Sequence, residues 1–396
     1  MVVRGKIKSI LFILDGYPIA GSKACVFARN LIVSLVDMGI KCTVIAPQII
    51  SRESLKKKNG YKQVDITPVG KEIIVYEPLY LHMSSRPAFL GISMKNHFAA
   101  AKSVIEKENL DFDAVYGHFI YHCGLTASKI GEIYNVPSFL GAGESDKLLP
   151  DCKRCRGAYQ TGLKRYHWNQ RLSKLAGVIS VSEWTKELLI NGGFIHLNAK
   201  VGVFPNGVNQ NIFHVGDKAK IRAEMNIPQD GFLITYVGAF NENKGSERLS
   251  AAIDRLEDNV YSVFIGRDGD CKPTCRNILF CGQCDNITVS KYLQASDCFV
   301  LPTRSEGCCN AILEALSSGV PVISSDRPFN DGIVDVTNGI RINPDSIEEL
   351  SEAIQKLMKD SSLMERLRNG AARSSQKFDI NDRAKRIYDF IEFCSK

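Results

Sequence analysis

Apolar runs and helical repeats alternate along this chain from its first residues. Ile7 to Leu14 is an apolar run cut by Asp15, which predicts a buried strand. Asp15 to Ser22 is rich in turn residues. Cys25, Ala28, Leu31, Ile32 and Leu35 then recur at helical spacing over 24–38, where Gly39 stops the pattern. Cys42 to Ala46 is a second apolar run, closed by Pro47. Strand, helix, strand is a βαβ unit, and it predicts a parallel sheet. Further strands are expected at 73–76, 111–119, 136–140 and 176–181, and helices at 98–108, 124–134 and 183–190, the last capped by Ser182. The pattern restarts with strands at 233–238, 263–267, 277–283, 299–301 and 320–323. Helices at 247–256, 289–293 and 311–316 lie between them, and amphipathic helices at 345–358, 363–378 and 382–393 follow. The expected fold is α/β, with two Rossmann-like domains over 1–197 and 198–378 and a final helix, 379–396, returning to the first.

Composition narrows the class. The 396 residues are enough for about two cored domains, and 44% hydrophobic content is that of a globular chain. No run of about 18 apolar residues is present, so no membrane-spanning helix is expected. Asp15 interrupts the first apolar run too early for a signal peptide. Thirteen cysteines without a secretion signal suit reduced thiols, hence a cytoplasmic location. The net charge of +7 is uneven: residues 1–197 hold 26 Lys+Arg against 16 Asp+Glu, and residues 198–396 hold 24 against 27. A basic first half suits solubility, or an anionic partner such as the inner face of a membrane; no nucleic-acid partner is expected. Two stretches could add to that surface. One is the lysine run Lys56 to Lys58; the other is the basic segment 153–171, interleaved with Tyr159, Tyr166 and Trp168, which also suits an exposed connector. Cys152 and Cys155 are too few for a zinc site alone. Cys271, Cys275, Cys281 and Cys284 are enough in number, but Cys281 falls in an expected strand.

The strongest chemical signal lies between Cys298 and Ile323. There, strand, tight loop, helix, glycine stop and strand carry Glu306 in the loop and Glu314 eight residues on. Backbone N–H groups of Gly307, Cys308, Cys309, Asn310 and Ala311 would face out of a helix N-terminus, a setting that suits phosphate. Ionised carboxylates only accept hydrogen bonds, so Glu306 and Glu314 suit hydroxyl groups. Hydroxyls at both ends and phosphates between them describe a nucleotide-sugar. Lys244, set before Gly245 in a loop after a strand, is a suitable diphosphate cation. His118 falls at a strand's carboxyl end, where ligands bind in open α/β sheets.

The E-x7-E segment with its following Gly-x-Pro-Val strand resembles the GT4-type retaining glycosyltransferases of the GT-B fold. Pro205-Asn206-Gly207-Val208 and the Lys244-Gly245 loop agree with that family. The resemblance spans almost the whole chain and implies a donor site facing a cleft between the domains. It implies that Glu314 holds the ribose, and that Lys244 and the Gly307–Asn310 amides hold the diphosphate. Glu306 and His118 would touch the sugar, with Glu306, Lys244 and His118 as the catalytic set. Gly21, Gly238, Phe280 and Gly282 would line the donor, and Glu144 and Asp146 would lie on the acceptor side. The family's arginine after the first glycine is Ala239 here, and Arg248 is the candidate replacement. The implied donor is a nucleotide-sugar, a UDP-sugar before a GDP-sugar, used without a metal or other cofactor. The implied acceptor is a glycan or lipid-linked hydroxyl in cell-envelope polysaccharide synthesis. A nucleotide-sugar epimerase of the same fold and a non-catalytic partner subunit are the rival readings.

Overall fold

The computed structural model describes residues 5–19, 25–51, 54, 61–83, 87–149, 157–256 and 259–396. The chain divides into two compact units, Met1–Pro205 with Ile380–Lys396, and Asn206–Asp379.

The first unit is built on an eight-stranded sheet. Across it run Val201–Val203, Gly177–Ser180, Ser138–Ala142, Ala114–His118, Ser9–Ile13, Lys41–Ile45, Glu72–Tyr76 and Lys62–Ile66. All neighbours pair in parallel except the last two. Val201–Val203 pairs with Gly177–Ser180, which carries this unit eight residues past the boundary expected at 197. Lys62–Ile66 was not expected as a strand. Its KQVDI sequence is an exposed edge, paired antiparallel to Glu72–Tyr76. The Leu90–Lys107 helix begins eight residues before the expected 98, because Leu90, Ser93 and His97 are also buried. Glu183–Asn191 has the expected cap, with Ser182 Oγ accepting the Thr185 N–H at 3.1 Å.

The final helix, Ile380–Ser395, belongs to this unit. Its Ile387 and Ile391 are fully buried in one core with Leu31, Ile32 and Leu35, and Tyr388 Oη donates to the Ile7 carbonyl at 2.8 Å. Each such buried aliphatic side chain contributes about 1.5–3 kcal/mol.

The basic segment differs from its expected surface role. It contains helices Ala158–Tyr166 and Trp168–Leu172, in which Tyr159 and Trp168 are core residues and Trp168 is wholly buried. Gly162 leaves room for the Trp168 ring, 2.3 Å from where a Cβ would stand. These aromatics fill the interior, so they offer no anchor to a membrane surface. Cys152, Cys155 and Lys56 to Lys58 lie outside the described residues. Among the described residues no helix is long and apolar enough to cross a membrane.

The second unit holds a wholly parallel six-stranded sheet, ordered Ile278–Gly282, Val260–Ile265, Phe232–Val237, Cys298–Leu301, Val322–Ser325 and Gly339–Ile342. Numbered within this unit the order is 3-2-1-4-5-6, the doubly wound arrangement. The last strand, GIRI, was not foreseen; four residues beside Asn338 give a weak signal.

Candidate active site

In a doubly wound sheet the ligand crevice opens beyond the carboxyl ends of the strands on either side of the point where strand order reverses. In the second unit those strands are Phe232–Val237 and Cys298–Leu301. The loops after them carry Lys244 and Glu306, 62 residues apart in sequence.

The fold joins these two side chains in an ion pair between Lys244 Nζ and Glu306 Oε1. Their side chains are 23% and 15% exposed, so the pair is partly withdrawn from water. Thr303 Oγ1 donates to the same oxygen at 3.0 Å. Asn243 Nδ2 donates to the Ser305 carbonyl at 3.2 Å and the Arg304 N–H to the Asn243 carbonyl at 2.9 Å, lacing one loop to the other. Lys244 and Glu306, assigned from sequence to phosphate and to sugar, therefore share one point.

Arg248 does not replace the cation missing at Ala239. Its two terminal nitrogens donate to the Glu242 and Pro302 carbonyls, each at 2.7 Å. It is a brace between the two loops, and its guanidinium is held on backbone oxygens rather than directed at a ligand. Gly238 precedes Ala239 at the strand end, its N–H on the Ile265 carbonyl. Gly266 lets the next loop approach, because a Cβ there would stand 1.8 Å from the Gly238 oxygen.

The Asn310–Ser317 helix starts at Cys309, whose side chain makes no capping hydrogen bond. The Pro205-Asn206-Gly207 turn holds this entry. Asn206 Nδ2 donates to the Cys308 carbonyl at 3.2 Å and to Asn310 Oδ1 at 2.8 Å, and its N–H meets Cys308 Sγ at 3.4 Å. Gly307 and Cys309 are buried, while Cys308 and Asn310 are half-buried and Ala311 lies at the buried edge of the helix. The turn signal was legible; the clamp that the Asn206 side chain makes was not, since its partners lie a hundred residues away.

Glu314 lies on the same helix, half-buried among buried neighbours. Its carboxylate has no hydrogen-bond or ion-pair partner among the described residues, and desolvation pushes its pKa up to about 7. Such a group is costly to ionise until a donor arrives. Phe280, half-buried on Ile278–Gly282, packs on Tyr292 at 5.4 Å, and Gly282 ends that strand with φ +152°. The four cysteines near it are not gathered: Cys275 is buried and Cys281 exposed, and they form no group of three close ligand atoms.

The first unit supplies His118 at the carboxyl end of Ala114–His118. Its ring packs beside Phe27 at 4.7 Å and Phe119 at 4.5 Å. Burial lowers its pKa to about 3, so the imidazole is neutral. Tyr116 Oη lies 3.1 Å from His118 Nδ1. Among the described residues the buried Tyr116 hydroxyl has no other acceptor, which assigns its proton to the bond with Nδ1 and the ring proton to Nε2. Gly141 makes room for both groups: a Cβ there would lie 1.9 Å from Tyr116 Oη.

Glu144, expected on the acceptor side, lies behind the turn that follows the His118 strand. It is 2% exposed, its Oε1 accepts the Ile120 N–H at 2.5 Å, and desolvation raises its pKa. It fixes the turn after the His118 strand. Asp146 begins the short helix Asp146–Leu148, and Gly21 lies outside the described residues.

Comparison with known proteins bears on the fold and on the second unit. Residues 217–374 match the family model described as Glycosyl transferases group 1. TuaC of Bacillus subtilis (strain 168), named as a teichuronic acid biosynthesis glycosyltransferase, is 29% identical over 361 residues, covering 88% of each chain. The N,N'-diacetylbacillosaminyl-diphospho-undecaprenol alpha-1,3-N-acetylgalactosaminyltransferase of Campylobacter jejuni is 26% identical, covering 94% of this chain and 97% of its own. Among solved structures, sucrose-phosphate synthase from Thermosynechococcus elongatus superposes with a TM-score of 0.79 at 17% identity, covering 96% of this chain and 97% of its own. Anabaena HepE in complex with UDP and glucose superposes with a TM-score of 0.71 at 16% identity, covering 96% and 98%. The chain has the GT-B fold, and its residues 217–374 match the glycosyl transferases group 1 family.

Proposed function

We propose that this chain transfers a sugar from a nucleotide-sugar to a hydroxyl of a glycan or lipid-linked acceptor in cell-envelope polysaccharide synthesis. A UDP-sugar is the favoured donor. The observation that carries the reading is Glu314: a half-buried carboxylate without a partner among the described residues, on the helix that follows the Glu306 loop. Ribose hydroxyls donating to it would relieve its desolvation. Lys244 would leave Glu306 for the diphosphate, and Glu306 would then accept from the sugar. His118, with its proton on Nε2, is assigned as a donor to a sugar oxygen. Configuration would be retained by attack on the face the diphosphate leaves, with catalysis by positioning and by stabilising the leaving anion. The names of TuaC and the Campylobacter transferase support an envelope or lipid-linked acceptor.

The first test is thermal stabilisation by UDP, GDP and ADP. One of them should raise the melting temperature, and Glu314→Ala should lose most of that shift. No response to any nucleotide would sink the donor reading and favour a non-catalytic subunit. Turnover of donor in the absence of acceptor to a 2-epimer would identify the epimerase instead.

Glu314 also sets a pH dependence. Its folded-state pKa is raised to about 7, and hydroxyl donors favour the ionised form. Affinity for an intact nucleotide-sugar should therefore rise as pH climbs from 5.5 through 7 and level off above it. Glu314→Gln should flatten that profile, which calorimetric titration at several pH values would show. For His118→Ala the expectation is a kcat lower by about 100-fold, the scale of one lost polar donor. Nucleotide affinity should be retained, and an equal loss of nucleotide affinity would contradict the assigned role.

A further inference from the structure

The sequence reversal in the first sheet lies between Ser9–Ile13 and Ala114–His118, and three segments meet beyond it. The loop after the first strand brings Asp15. The turn Ile120–Gly124 brings Cys123. The Leu90–Lys107 helix brings His97. One ligand atom from each lies within 4.8 Å of the other two.

We propose that Asp15, His97 and Cys123 form a binding site for a divalent cation of the zinc class. His97 is 1% exposed, and its Nε2 is buried without a hydrogen-bond partner among the described residues. A buried polar nitrogen left in this way calls for a partner. Its Nδ1 lies 2.9 Å from Thr126 Oγ1, which accounts for one side of the ring, and the proposal assigns Nε2 to the cation. Histidine ligands are commonly oriented by such a contact on the other nitrogen. Cys123 is wholly buried, and its thiol donates to Asp15 Oδ1 at 3.1 Å. The sulfur and the carboxylate already face each other.

The charges balance. The cation takes the place of the thiol proton: the S–H bond breaks, a sulfur–metal bond forms, and the proton leaves to solvent. Thiolate and carboxylate then offset the 2+ charge, and the imidazole ligates as a neutral group. The N, S and O donor set suits zinc and excludes magnesium or calcium, which take oxygen ligands. A tetrahedral zinc site would draw the ligand atoms to about 3.3–3.7 Å apart, given metal–ligand lengths of roughly 2.0–2.3 Å. Asp15 is the exposed member and can make that adjustment. With three protein ligands the fourth position is left to water on the Asp15 side. The cation would tie the first loop to the turn that follows His118. This site is carried by the first unit alone and does not depend on the donor reading.

Cobalt(II) titration of the full-length protein is the test. The expected result is one cobalt per chain with a thiolate-to-cobalt charge-transfer band, displaced by zinc. Cys123→Ser should abolish the band. Asp15→Asn, a substitution at an exposed position, should keep the band and weaken binding at least tenfold. The proposal is overturned by the absence of a band, by a band that survives Cys123→Ser and so belongs to another of the thirteen cysteines, or by unchanged affinity in Asp15→Asn.

Discussion

Replacing Lys244 by alanine is expected to weaken nucleoside-diphosphate binding by about 2–3 kcal/mol, on the order of 100-fold, the scale of a lost charge-assisted hydrogen bond. The effect has two sources. The cation that would meet the phosphates is gone. Glu306, whose charge Lys244 offsets in the ion pair, is left partly buried beside an incoming anion. The two sources separate in a double-mutant cycle. Glu306→Ala alone should leave diphosphate binding unchanged or stronger, because the competing carboxylate is removed, while sugar transfer is lost. Lys244→Ala with Glu306→Ala should bind about tenfold more tightly than Lys244→Ala, since the repulsion is gone but the cation is still missing. Arg248 offers no rescue, being held on the Glu242 and Pro302 carbonyls. Near-wild-type binding in Lys244→Ala would remove Lys244 from the site.

Local pattern was enough for most of the elements. Buried parallel strands are short apolar runs, and each was visible at Ile10 to Ile13, Val44, Leu233 to Tyr236 and Phe299 to Leu301. The Glu306–Glu314 spacing and the Lys244-Gly245 loop were visible because both are local. Edges were not: Lys62–Ile66 alternates between exposed and half-buried, and half of its hydrogen-bonding groups answer to one neighbour only. Partnerships across long separations were hidden as well. Nothing at Lys244 announces Glu306, and nothing at Arg248 announces Pro302. The hydrogen bond from the Ile120 N–H to Glu144 was hidden in the same way, 24 residues lying between them. Tyr159 and Trp168 were read as surface groups from the basic residues around them, whereas their rings turn inward while Lys164 and Arg165 are exposed.

Asp297→Ala should cost about 3–5 kcal/mol, the scale for removing one partner of a buried ion pair. Asp297 stands just before Cys298–Leu301, the strand that leads to the Glu306 loop. Its Oδ2 accepts from Arg222 Nη2 at 2.7 Å and from the Leu233 N–H at 2.8 Å. Its Oδ1 faces Lys218 and, at 3.3 Å, Arg368. Arg222 is 1% exposed, and its other nitrogens donate to carbonyls of Ala295, Pro228, Gln229 and Gly231. Carbonyls satisfy its hydrogen bonds but do not offset its charge, so alanine at 297 leaves a guanidinium in low dielectric with no counter-ion in contact among the described residues. Asp297→Asn, which keeps an acceptor, should cost less. The two units call for two probes, since a single two-state transition is not assured. Both tryptophans, Trp168 and Trp184, lie in the first unit, so their fluorescence reports that unit, whereas far-ultraviolet dichroism reports helices of both. In Asp297→Ala the dichroism should begin to fall at a urea concentration about 1–3 M lower than in the parent chain, ahead of the fluorescence change. Unchanged, coincident transitions would show that Arg222 is accommodated without its carboxylate. The alignment of the two loops beyond these strands would then rest on the Lys244–Glu306 pair, Arg248 and Asn243.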